Sequence, residues 1–454
     1  MCARGHLPVL GHRLVSRVSR ETAPRVEGSL PRTGLHSPAL ERVIAALSPA
    51  LRPLALDALF ASALRCTLET TCTLEGDDET FVITGDIPAM WLRDACGQML
   101  PYLRFCAEDA LLRRVVRGLV LRQARAIQRD PYANAFTRDP NGHSGHRHDI
   151  TDQRPGVWER KWEVDSLCWA LRLLRLYVAA TGDRRVYAEL DVRLALGAIL
   201  TTFETERDHN ARSAYHFRRP LDGILRHDTS AATSVAPTGM IWGAFRPSDD
   251  GCEYHYHIPS QMLAVVELKA LAGVFAQVYR APHWAERAAT LATGIEAGIA
   301  RHGVVDHPQF GRIYAYEVDG LGHHRLMDDA NLPSLLGIPE IGYRPASAPI
   351  YQNTRRFALS AANPHWYRGA HASGIGSPHT PAPFIWPLAL IVQALTSTDR
   401  AEIERLLATL RATDGGRGLI HESFDPNDPT RFTRPWFAWG NALFAELVLR
   451  AYYD

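Results

Sequence analysis

The feature that most limits what this chain can fold into is a repeated order of two kinds of segment. Six times, an irregular stretch rich in Asp, Trp, Arg and His runs into a largely apolar helical stretch: 84–103, 130–178, 238–279, 327–338, 374–396 and 419–453. Near each lies a more amphipathic element: 36–68, 107–129, 183–207, 282–302, a weaker one at 352–360, and 400–412. Apolar helices belong inside a globular protein and amphipathic ones outside. Six of each predict an all-α (α/α)6 barrel, with short β-hairpins in the loops. The loops before the inner helices would gather at one end and form the site. No fixed period of 20–50 residues runs through the chain, which argues against a solenoid.

Bulk properties narrow the function classes. The 454 residues carry a net charge of +1, with 46% hydrophobic and 22% charged residues. That balance gives no global attraction to nucleic acid or to an anionic membrane. The seven cysteines are scattered and form no C-x-x-C pair, so neither a zinc site nor a disulfide framework is signalled. No run of about 18 apolar residues suggests a membrane span. Residues 1–35 lack a continuous apolar core and read as a flexible leader, not a signal peptide. This favours a cytoplasmic protein over an exported one, with the catalytic domain at 36–454 and a monomeric state.

The stretch 84–103 shows the local design. Gly85-Asp86-Ile87-Pro88 reads as a turn with proline at a first helical position. Asp86, Trp91, Arg93 and Asp94 crowd the helix mouth. Carboxylates accept hydrogen bonds from hydroxyls, and an indole face stacks on a sugar ring, so the set suits a polyhydroxylated ligand. Elsewhere, residues 158–165 (WERKWEVD) read most simply as a salt-bridged helix start. Residues 310–318 read as a strand, Asp319-Gly320 as a hairpin turn and 327–338 as the start of a short helix.

Two acidic loops carry the chemistry. FRPSDD (245–250) and HESFDPND (421–428) each place carboxylates just upstream of an apolar helix. Glycoside hydrolysis needs one protonated carboxyl for the leaving oxygen and one ionised carboxylate to activate water or attack. Asp249 or Asp250 is the candidate acid and Glu422 the candidate base; helix capping and surface acidity are the competing reading. His143, His146, His148 and Asp149 form a weak metal-like string with no H-E-x-x-H partner, so no metal and no other cofactor is expected. No phosphate-binding loop, dinucleotide fingerprint or G-x-S-x-G elbow is present.

Taken together, TGDIPAMWLRD, WERKWEVDSLC, FRPSDDGC, YAYEVDG, LMDDANLPSLL, GIGSPHTP, FIWPLAL and HESFDPNDPTRFTRPWFAWGN resemble glycoside hydrolase family 125, over about residues 68–450. The resemblance implies an (α/α)6 barrel that removes terminal α-1,6-linked mannose with inversion and without a metal. The substrate would be a mannose-containing oligosaccharide or N-glycan fragment. It places the acid at Asp249 or Asp250 and the base at Glu422. It makes Asp86, Trp91, Arg93, Asp94, Asp165, Arg246, Asp328, Asp329, His379 and Arg434 candidates to hold the sugar or brace the residues that do. Trp162 and Trp169 stand where the family pattern has Tyr, and Gly251 and Gly440 where it has Ala. The alternatives are an (α/α)6 glycosidase of another specificity and an inactive carbohydrate-binding relative.

Overall fold

The computed structural model describes residues 30–221, 224–226, 229 and 234–454, and the part from Pro31 to Asp454 is one compact unit. Residues 1–29, which carry most of the expected leader, lie outside it. Just after it, Thr33 donates its backbone N–H to the Glu69 carbonyl and its hydroxyl to the Leu68 carbonyl, both at 2.8 Å.

Helices dominate. After α1 (Pro38–Leu51), the chain alternates outer and inner helices: α2 (Asp57–Cys66), α3 (Leu92–Leu103), α4 (Ala110–Arg129), α5 (Val164–Thr181), α6 (Leu190–Arg207), α7 (Ile258–Gln277), α8 (Pro282–His302), α9 (Pro349–Ala358), α10 (Pro387–Leu395), α11 (Arg400–Ala412) and α12 (Ala438–Tyr452). The inner ring packs α12 against α3, α3 against α5 and α5 against α7, while α2, α4, α8 and α11 back them from outside. This is the (α/α)6 barrel. Local chemistry sets the ends. Proline opens α8, α9 and α10, and Gly182 closes α5 in the left-handed conformation (φ 70°). Helix α7 is long and apolar enough to cross a membrane, but as an inner helix it is 67% buried in the protein.

The interior is filled by large side chains. Trp169 on α5 meets Trp439 on α12 edge to face, with centroids 6.1 Å apart. Helix α3 separates those two helices around the ring, so the contact crosses the barrel interior. Gly97 lets α3 and α12 approach: a Cβ there would lie 2.1 Å from Trp439 Nε1. Each fully buried Leu, Ile or Phe adds roughly 1.5–3 kcal/mol to this core.

Five local expectations change. Pro88 does not open a helix; Met90–Trp91 is a strand that pairs with Ala135–Phe136, which in turn pairs with Val157–Glu159. Residues 157–159 are therefore extended, and α5 begins only at Val164. The sequence 327–338 forms turns, not a helix, so the fourth inner position is irregular. The stretch around 352–360 belongs to a well-formed outer helix, α9. The expected strand at 310–318 is split into Gly311–Tyr314 and Glu317–Val318, and the latter turns at 319–323 to pair with His324–Arg325.

Candidate functional site

The loops before the inner helices meet around a cavity of about 420 Å³. Trp91 and Asp94 come from the start of α3, Glu159 and Lys161 from the segment before α5, and Asp249 from the segment before α7. His379, Thr380 and Pro381 precede α10, and Glu422, Thr433 and Arg434 precede α12. A groove of about 510 Å³ beside α8 holds none of the sequence candidates.

Backbone pairing joins the first and last of these loops. Gly85 bridges Phe437, Asp86 donates its N–H to the Trp436 carbonyl at 3.3 Å, and Ala438 donates to Thr84 at 3.1 Å. A side chain at Gly85 would place its Cβ 2.1 Å from that same Trp436 carbonyl oxygen, so this closure requires glycine. It brings Asp86 to Arg434, whose Nε and Nη2 both donate to Asp86 Oδ1 at 2.9 and 2.7 Å. Arg434 Nη1 reaches Glu422 Oε1 at 3.2 Å, and Thr433 Oγ1 donates to Glu422 Oε2 at 2.9 Å. The hairpin of Ser423–Asp425 with Asp428–Thr433 sets this register. Glu422 is thus held as an acceptor at the cavity wall, and Asp86 acts through Arg434.

On the opposite loop, a tight turn runs Arg246–Asp249, with the Asp249 N–H donating to the Arg246 carbonyl at 3.0 Å. It places Asp249 at φ 66°, and Arg434 stands at φ 37°. Positive φ is uncommon outside glycine, and such residues cluster where the surroundings force a side chain into position. Asn134 Nδ2 donates to Asp249 Oδ1 at 2.9 Å and to Glu159 Oε2 at 3.0 Å. Asp250 turns to a different neighbourhood: Ser248 donates to it at 3.1 Å and His379 Nδ1 lies 3.6 Å away. The neighbours that sequence could not separate are therefore distinct: Asp249 lines the cavity with Glu422, while Asp250 pairs with His379.

Beneath Asp249 sits a buried charge cluster. Arg93 Nη1 bonds Glu163 at 2.8 Å and Asp165 at 3.2 Å; its Nη2 lies 3.7 Å from Asp249 and its Nε 3.6 Å from Asp94. Burial raises the Asp94 carboxyl and pushes Asp165 up to about 6, with Arg93 opposing both. Burial works against the Asp249 anion too, but Lys161 and Arg93 hold its carboxyl well below the usual range. Burial also opposes the His379 charge, yet the Asp250 carboxylate pushes that imidazole up to about 9.

Other predicted residues lie behind the cavity wall. Arg246 forms a two-pronged ion pair with Glu317 at 2.5 and 3.0 Å and braces the Asp249 turn from behind. Asp328 accepts from the Leu335 and Leu336 N–H groups at 2.8 and 2.9 Å and holds the irregular inner segment; burial raises it to about 7. Asp329 accepts from Asn331 and from Ser377. Asp165 lies wholly under the cavity floor, on Arg93.

Several wall residues were not among the candidates: Thr84, His146, Trp158, Glu159, Lys161, Arg219 and Thr433. His146, Asp149 and Glu159 come close enough to share an ion. Their carboxylates are already neutralised, because Arg219 spans Asp149 at 2.6 Å and Glu159 at 2.7 Å, and Lys161 stands 3.4 Å from Glu159. A divalent ion would have to displace two cations. The string 158–165 offered a signal, since alternating acids and bases flanked by Trp are costly to bury without a purpose.

The family model described as metal-independent α-mannosidase (GH125) matches residues 54–449. The meiotically up-regulated gene 157 protein of Schizosaccharomyces pombe is 38% identical, over 91% of this chain and 86% of its own length. A metal-independent α-mannosidase from Streptococcus pneumoniae, solved in a non-productive complex with α-1,6-mannobiose, is 42% identical with a TM-score of 0.88; the match covers 92% of this chain and 99% of that one. A bacterial glucoamylase complexed with acarbose shares the fold at 12% identity and a TM-score of 0.52, over 88% of this chain and 56% of its own.

Proposed function

This chain belongs to glycoside hydrolase family 125, the metal-independent α-mannosidases, and we propose that it removes terminal α-1,6-linked mannose with inversion and without a metal. The observation that carries this reading is the pairing of Asp249 and Glu422 on the wall of one cavity, from loops far apart in sequence. Each is set by a neighbour at positive φ or by its own. The mannobiose held by the Streptococcus pneumoniae relative supports the linkage.

In this mechanism Glu422 is the general base. Arg434 and Thr433 fix its orientation, and it takes a proton from water as that water attacks the anomeric carbon. Asp249 is the general acid and gives its proton to the glycosidic oxygen as the bond breaks. Inversion follows if water fits between the two carboxyls, which requires a separation of about 6.5–9.5 Å. Asp94, His379 and Arg434 supply donors and acceptors for sugar hydroxyls, and Trp91 and Trp158 supply ring faces.

The test is hydrolysis of α-1,6-mannobiose in excess EDTA, followed by proton NMR from the first turnover. The expected product is β-mannose. First-formed α-mannose, loss of activity in EDTA, or preference for an α-1,2, α-1,3 or glucosidic linkage in a disaccharide panel would each overturn part of the reading.

A further inference from the structure

Glu163 is the least explained group in the site. It is fully buried at the start of α5. Its Oε2 accepts from Arg93 and from Ser166 Oγ, both at 2.8 Å. Its Oε1 has no donor among the described residues. Asp249 shares the Arg93 guanidinium with it: Nη1 bonds Glu163 at 2.8 Å, and Nη2 lies 3.7 Å from the Asp249 carboxyl. Buried carboxylates gathered on one guanidinium repel each other, and a proton held by one of them relieves that repulsion.

The charges around the pair make the same demand. Facing it are Arg93 and Asp94 from α3, Asp165 from α5, Glu159 and Lys161 from the preceding segment, and His379 from the loop before α10. Cys252 also borders Glu163, as a partly buried thiol. Four carboxyl groups converge on the single Arg93 guanidinium.

We propose that Glu163 and Asp249 form a proton-sharing carboxyl dyad, in which Glu163 is a positioning residue that keeps one proton available to Asp249 at neutral pH. The proposal rests on Asp249 being the general acid. In the empty site the proton resides on Glu163: burial and the adjacent Asp249 anion raise its carboxyl well above the usual range, while Asp249 is lowered. This resolves an apparent conflict, because an acid catalyst with a depressed carboxyl would be ionised when needed. The first proton leaves the dyad easily, and the second is retained by the charge the first leaves behind. When substrate displaces water, its ether oxygen offers an acceptor to protonated Asp249, and Glu163 becomes the anion held by Arg93 and Ser166. Bond cleavage then moves the proton from Asp249 to the leaving oxygen, and attacking water gives one proton to Glu422 and its hydroxide to carbon. After product release that proton returns through solvent to the dyad, so the cycle balances.

The experiment compares Glu163→Gln with wild type on α-1,6-mannobiose and on 2,4-dinitrophenyl α-mannoside, whose leaving group needs no proton. A glutamine amide would donate to Asp249 and hold it ionised. The basic limb of the kcat/KM profile for mannobiose should fall by about one pH unit or more. The rate on mannobiose at neutral pH should drop at least about tenfold further than on the activated substrate. Glu163→Asp retains a titrating group at longer range and should give an intermediate limb; it also serves if the glutamine variant does not fold. An unshifted basic limb, or equal losses on both substrates, overturns the dyad. Asp249→Asn tests the premise separately: if it still cleaves mannobiose, the acid assignment fails, whereas a dead Asp249→Asn with an unshifted Glu163 variant refutes the dyad alone.

Discussion

Replacing Glu422 by glutamine separates chemistry from structure at this site. The amide keeps the shape, and its carbonyl can still accept from Arg434 Nη1 at the 3.2 Å position. Its NH₂ would face Thr433 Oγ1, which also contacts Ser423 Oγ at 2.6 Å and can turn to accept. Arg434 loses one of two anionic neighbours but keeps both bonds to Asp86. The structural cost is then that of a weakened, partly buried ion pair, about 1–2 kcal/mol. The catalytic cost is the loss of a positioned base, about 10²–10⁴-fold, equivalent to about 2.7–5.4 kcal/mol of barrier. Hydrolysis of α-1,6-mannobiose gives the rate, a thermal melt gives the stability, and azide offers a nucleophile that needs no deprotonation. The expected result is a melting point lowered by only a few degrees, a rate down by at least about a hundredfold, and β-mannosyl azide formed when azide is added. A rate within about tenfold of wild type would remove Glu422 as the base, whatever the melt shows.

Three further outcomes follow from the geometry. Asp86→Asn keeps an acceptor for Arg434 but removes its charge; because Arg434 lines the cavity and Asp86 does not, kcat/KM should fall about tenfold, chiefly through KM, and normal mannose binding with no turnover would contradict this. His379 is raised from an ordinary value of about 6.5 to about 9, so its pair with Asp250 contributes stability that is complete below about pH 6.5 and lost as pH rises through 9; His379→Gln should flatten that slope in urea titrations, and a wild-type profile already flat over this range would refute the pairing. Gly97→Ala should cost about 1–3 kcal/mol by forcing Trp439 from its place, seen as a lower melting point and altered tryptophan fluorescence, whereas an unchanged melt would mean α3 and α12 have slack there.

What was legible in the chain followed local periodicity. Helices α8 and α11 have the bounds that amphipathic spacing sets, because proline or Asp fixes the start and polar residues fix the exposed face. The (α/α)6 arrangement followed from the alternation of apolar and amphipathic helices. The misses depend on partners distant in sequence. Met90–Trp91 is a strand only because Ala135–Phe136 lies beside it, and nothing near Pro88 signals that pairing. The stretch 327–338 has helix-like spacing, but Asp328 caps backbone N–H groups seven and eight residues ahead and holds turns instead. At the site, the acidic loops stood out because free carboxylates before an apolar helix are conspicuous. Arg219 and Asn134 did not, since an isolated Arg or Asn gives no sign that folding sets it against Glu159.

The left-handed backbone at Asp249 and Arg434 also restricts what genetics can report there. Asn and Gly tolerate that conformation, while β-branched residues resist it and other side chains incur about 1–2 kcal/mol. A saturation library at either position should therefore sort into two tiers. Asn and Gly variants fold normally and lose only the chemistry of the missing side chain. Val, Ile and Thr variants also disturb the turn, and through it the loop contacts on either side. Comparing soluble yield with activity across such a library would separate residues selected for what they do from residues selected for where the main chain can go.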